Sequence, residues 1–168
     1  MKLDNQPLIF DDQQRQKIDR ALLRLADQAG SPLVMLADIS GQLVLYRGRL
    51  PATQSAGLAA LAAASFAANI EIGNFLGLPN NFKQQLLEGD LANLYTMKVG
   101  EELLLIVAFT QHTMLGLVRL LAQQTREDLL VLARAAEKAR YQAQQQPQQA
   151  IDANFGRDLQ TQLDDLFS

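Results

Sequence analysis

Between Arg49 and Glu71 the chain runs for 21 residues without a charge, and nine of those residues are alanine. A surface helix normally carries Lys and Glu on the face that meets water. The spacing predicts a helix over 53–76, and neither of its sides is dressed for solvent. The stretch is as long as a bilayer span. It is interrupted by Thr53, Gln54, Ser55, Ser65 and Asn69, and alanine is barely apolar on insertion scales, so no membrane insertion is expected.

Projected at about 100° per residue, Leu58, Leu61, Ile72 and Leu76 form one stripe of large side chains, expected to pack on a sheet. Ala56, Ala60, Ala63, Ala64 and Ala67 fall on roughly the opposite side. Alanine is the best helix former, which is one explanation for that side. Small side chains that let another helix approach closely are the other. Propensity does not account for the loss of every charge across 21 residues, so the alanine side is read as a dimer or partner interface.

The 168 residues fit one domain with a tail. There is no Cys and a single His, which excludes disulfides, thiolate metal sites and His-pair metal sites. The net charge of −3 is unevenly placed. Residues 1–150 hold 14 Lys/Arg and 14 Asp/Glu, whereas the last 18 residues set Arg157 against Asp152, Asp158, Asp164 and Asp165. A neutral body without a basic stripe argues against nucleic acid as the partner. The opening MKLDNQPLIF has no basic region followed by a long apolar one, so no signal peptide is visible and the expected location is the cytoplasm.

Around the central helix the order of elements follows from periodicity and punctuation. Residues 11–29 read as a helix capped by Asp11 or Asp12 and stopped by Gly30-Ser31-Pro32. LVMLADI (33–39) and QLVLYR (42–47) read as a hairpin through Ser40-Gly41. After Gly77 and Pro79 come FKQQLLE (82–88) and LANLYTMKV (91–99), a second hairpin, then ELLLIVAFT (102–110), apolar enough to be central in a sheet. The helical pattern resumes from Thr113 to about Ala143. The order α-β-β-α-β-β-β-α predicts an α+β domain over 1–141, a five-stranded antiparallel sheet with helices on both faces. Strand 82–88, if at an edge, is a candidate for pairing with a second copy.

Residues 142–150 are Gln-rich with one Pro and no apolar side chain larger than Ala until Ile151, and are expected to be a linker. Beyond it, over 151–168, Ile151, Phe155, Leu159, Leu163, Leu166 and Phe167 recur at helical steps opposite the aspartates. This acidic amphipathic tail is marginal as an isolated helix; it is expected to order only on docking, to a partner or to its own domain, with disorder as the third reading.

No phosphate-binding Gly-rich loop, dinucleotide fingerprint or metalloprotease motif is present. His112 precedes a helix and reads as an exposed or capping residue. Glu101 and Glu102 read as a solvated turn, since neighbours in a strand point to opposite faces. Asp38 is expected to cap the Ser40-Gly41 turn. Arg47 and Arg49, at the end of the second strand, are solvated arginines or a rim for an acidic partner. No catalytic residue, cofactor or metal is assigned.

Three segments carry a family resemblance: LVMLADISGQLVLYRG, SAGLAALAAASFAANIEIGNFLG, and LLLIVAFTQHTMLGLVRLLAQQTREDLLVL with its Leu115-Gly116-Leu117-Val118-Arg119 pattern. Their order and spacing resemble the Roadblock (dynein light-chain) family over roughly residues 11–140, most of all its bacterial gliding-motility branch. The resemblance implies a homodimer in which two five-stranded sheets join and the central helices lie side by side. It implies no enzymatic activity and binding of a Ras-like small GTPase, whose own catalytic residues the gliding-motility type remodels without inserting an arginine. On it, the alanine face contributes to dimer and GTPase contacts. A dimeric adaptor that tethers partners regardless of nucleotide state is the second expectation.

Overall fold

The computed structural model describes the backbone of residues 7–166 and the side chains of residues 7–145. Helix α1 (Asp12–Ala29) opens on a reciprocal cap. The Asp11 carboxylate accepts from the Gln14 N–H at 2.7 Å, and the Gln14 side chain accepts from the Asp11 N–H at 2.9 Å. The helix closes on Gly30 in the left-handed region, where a glycine meets no Cβ penalty. Strands β1 (Leu33–Asp38) and β2 (Leu43–Gly48) form the expected hairpin. Asp38 caps it as expected: its Oδ1 accepts from the Ser40 N–H, the Ser40 hydroxyl and the Gln42 N–H.

Helix α2 (Ala52–Phe75) follows, then β3 (Gln84–Leu87), β4 (Ala92–Val99), β5 (Leu103–Thr110) and α3 (Leu115–Leu166). All pairings are antiparallel, in the order β2-β1-β5-β4-β3. The apolar β5 is central and β3 lies at an edge.

Alternation divides the core into two layers. Val34 and Leu36 of β1 and Leu103, Leu105, Val107 and Phe109 of β5 meet Ile18, Leu22 and Leu25 of α1 and Val118, Leu129 and Ala133 of α3. Leu33, Met35, Ala37, Leu104 and Ile106 point the other way, onto α2. Helices therefore cover both faces of the sheet, with α2 alone on one of them.

Helix α3 runs through the Gln-rich segment 142–150, which was expected to be a linker. Glutamine and alanine are good helix formers, which favours continuing an established helix against the cost of Pro147 in its interior. The turn before it is pinned: the Arg140 guanidinium spans the Glu102 carboxylate at 2.9 and 2.5 Å, both side chains about three-quarters covered. Glu102 is thus an ion-pair partner of α3 and not a free turn carboxylate. Glu101, largely exposed, accepts from Lys98 at 2.6 Å.

A candidate protein–protein interface on α2 and the β3 edge

Helix α2 packs on the sheet with the side opposite to the one its large residues suggest. The residues buried against β1 and β5 are Ser55, Ala59, Ala62, Ala63 and Phe66. Leu61, expected to pack on the sheet, is 71% exposed, and Ile72 and Leu76 are exposed too; only Leu58 of that stripe is partly buried. Small side chains with Phe66 fill the layer against the sheet. At the flank of the helix, a Cβ on Gly41 in the β1–β2 turn would come within 2.7 Å of the Ala60 Cα, and Gly41 has φ +92°.

The five alanines therefore divide. Ala56, Ala60, Ala64 and Ala67 are exposed, as expected of an outer face. Ala63 is buried in the core beside Ala59 and Phe66, and is not an interface residue of this face. The residues missed are Leu61, Ile72 and Phe75, the last 91% exposed, which stand outward among the small ones. The outer face is knobbed and apolar, with Glu71 near its end the single charge between Arg49 and Lys83.

The face continues onto the sheet edge. The Gln85 amide donates to the Ser65 hydroxyl at 2.8 Å, holding β3 beside α2. The Tyr95 hydroxyl of β4 donates to the Gln84 side-chain Oε1 from the opposite face of the sheet. Burial raises the Tyr95 pKa above its ordinary value, and the Arg119 charge opposes that shift. Between them these bonds hold β3 flat along its one paired side. Its outer side has no strand partner. Leu78, Leu87 and Leu91 lie exposed around it. Exposed apolar side chains grouped on adjoining elements, beside an unpaired edge, form a surface built to be covered.

Other expected site residues lie elsewhere. Arg47 is bound to Asp19 of α1, Nε to Oδ1 at 2.6 Å, and the pKa of its guanidinium is raised chiefly by that hydrogen bond. It is a structural tie before it is a rim. Arg49 is exposed at the entry to α2. His112 is exposed in the turn before α3. Phe155, Leu159, Leu163 and Leu166 belong to the α3 backbone helix, but their side chains, like Phe167 as a whole, lie outside the described residues. By length and composition alone α2 would cross a membrane; here one of its sides lies on the sheet.

Comparison with known proteins agrees with this architecture. The Roadblock/LC7 domain matches residues 17–109. The structure of MglB from Myxococcus xanthus is 31% identical, covering 77% of this chain and 96% of that one, with a TM-score of 0.70. A structure described as MglB with tetrameric arrangement (24% identical, 77% and 96% covered, TM-score 0.71) and the gliding protein MglB of Thermus thermophilus (23%, 76% and 96%, 0.70) share the fold. None of the curated proteins matches. On the domain match and the Myxococcus likeness together, the chain belongs to the Roadblock/LC7 domain family and is of the MglB-like type.

Proposed function

We propose that this protein is a homodimeric, non-catalytic regulator of a Ras-like small GTPase, acting in the cytoplasm. The observation that carries the reading is the uncharged outer face of α2 continued by the free β3 edge. Two copies related by a two-fold axis through that edge would pair β3 with β3 and bring the two α2 helices together, covering both features in one isologous contact. The small residues Ala56, Ala60, Ala64 and Ala67 let backbones approach, while Leu61, Ile72 and Phe75 supply the area. The GTPase comes from the family resemblance alone. Arg49, exposed at the entry to α2, flanks this contact, and its charge suits an acidic partner surface.

The test is to mix the protein with a small GTPase encoded beside it, loaded with GTP or GDP, and to follow binding and phosphate release. Binding that depends on the nucleotide, with a changed hydrolysis or exchange rate, is the expected result. Equal binding to both forms with no rate change makes the protein an adaptor, and no binding to any such GTPase removes the reading.

A further inference from the structure

Beyond the Gln84 end of β3 a cleft of about 730 Å³ opens between α3, the end of β4 and the segment leading into β3. Its size is that of a small-molecule site, typically about 300–1,000 Å³. Two hydrogen bonds to the main chain fix its walls. The Lys98 N–H donates to the Lys83 carbonyl at 3.0 Å, tying the entry of β3 to β4. The Arg126 Nε donates to the Lys98 carbonyl at 3.0 Å, tying α3 to the same strand. Four cations line the cleft, and two of them are already neutralised. Lys98 is paired with Glu101 at 2.6 Å and Arg126 with Glu127 at 2.9 Å. The other two, Lys83 and Arg134, come from different elements and are exposed. Among the described residues neither forms an ion pair. Phe82 and Leu130, both half-buried, and the buried Met97 give the cleft an apolar wall.

We propose that this cleft binds a soluble organic phosphate, a small molecule that joins a phosphate monoester to an apolar ring. A concave site with uncompensated charge of one sign and low-dielectric walls concentrates the opposite charge. A phosphate monoester carries close to two negative charges at neutral pH, which matches the two cations left without a partner. Both are phosphate-binding side chains, Arg134 through its planar fork and Lys83 as a point charge. Charge alone would accept any anion. The wall of Phe82, Met97 and Leu130 adds the second requirement, because apolar surface is gained only by a ligand that covers it. That wall lies inside the cleft, between elements, where a free small molecule fits and a membrane surface does not reach.

The probe is naphthyl phosphate, added to the full chain and followed by its own fluorescence anisotropy, since the chain holds no Trp to compete. It should bind about tenfold or more tighter than naphthol, and displace with the same advantage over inorganic phosphate. The affinity should fall as the ionic strength rises. Lys83→Glu with Arg134→Glu should weaken binding about tenfold or more without moving the thermal melt, and the milder Lys83→Gln with Arg134→Gln should act in the same direction. Lys17→Glu with Arg20→Glu makes the same change in net charge at exposed positions of α1 and should bind like wild type. Absence of binding, equal affinity for naphthol or for inorganic phosphate, or an equal loss in both charge-reversed proteins would each overturn the proposal. Vesicles of phosphatidic acid in phosphatidylcholine form the last arm. Sedimentation of the protein with them through Lys83 and Arg134, with no binding of naphthyl phosphate, would assign the cations to a lipid headgroup instead. No GTPase is present, so failure here leaves the proposed function standing.

Discussion

Ala63 and Ala64 are adjacent in sequence and lie on different sides of α2, one 2% exposed in the core and the other open. The same substitution at the two positions should therefore fail in different assays. Arginine at 63 would drive a long cation between Phe66 and the sheet residues Met35 and Ile106, all fully buried. Overpacking alone costs about 1–3 kcal/mol, and an unpaired buried charge adds several more. The total, about 4 kcal/mol or above, is a large part of the ~5–15 kcal/mol a domain has in hand. Ala63→Arg should unfold well before wild type in urea or fail to accumulate as soluble protein. Ala64→Arg, with Ala67→Arg beside it, leaves the core untouched. Its denaturation at a concentration where wild type is monomeric should match wild type to within ~0.5 kcal/mol. In sedimentation velocity at higher concentration it should remain monomeric where wild type dimerises. A stable Ala63→Arg that loses only self-association would place the core on the wrong side of α2. An Ala64→Arg, Ala67→Arg protein that dimerises like wild type would show that the outer face is not the interface.

Four further outcomes follow from particular contacts. Gly41→Ala should cost roughly 1–3 kcal/mol in chemical denaturation, since the added Cβ meets the Ala60 backbone at a positive φ. Phe66→Ala should cost about 3–5 kcal/mol in the same assay, Phe66 being the one fully buried aromatic of the α2 layer among the described residues. Glu102→Ala should cost about 1–2 kcal/mol, less than a fully buried pair because both partners remain partly exposed. Tyr95 bears on alkaline stability. Burial holds its phenol protonated in the fold, so the unfolded chain ionises first, and the contribution present below about pH 10 is lost as the pH rises through the folded pKa. Tyr95→Phe should flatten that decline in thermal melts above pH 10.

Much of this architecture is legible in the sequence because local chemistry agrees with the tertiary result. Asp11 caps α1, Asp38 closes the first hairpin, and the uninterrupted apolar run of β5 marks a strand covered on both faces. The orientation of α2 is not legible for a physical reason. A helix that is apolar all round has almost no preferred direction, and the largest side chains are an unreliable guide when the partner backbone comes close. The side that packs, Ala59, Ala62, Ala63 and Phe66, is selected by contacts with β1 and β5 that are distant in sequence. The same non-locality hides Arg47–Asp19 and Glu102–Arg140, pairs 28 and 38 residues apart that no spacing rule connects.

The sheet order carries a consequence for synthesis. The strand at its centre is the last one made: β1 pairs Leu33 with Ala108, 75 positions further along the chain. Until β5 has left the ribosome, the β1–β2 hairpin offers an unsatisfied apolar edge, and neither core layer can close. The domain should therefore fold after translation has passed Thr110, in one late step, with little stable native structure before it. Through that interval the nascent chain needs protection along β1, the strand that ends up most deeply enclosed.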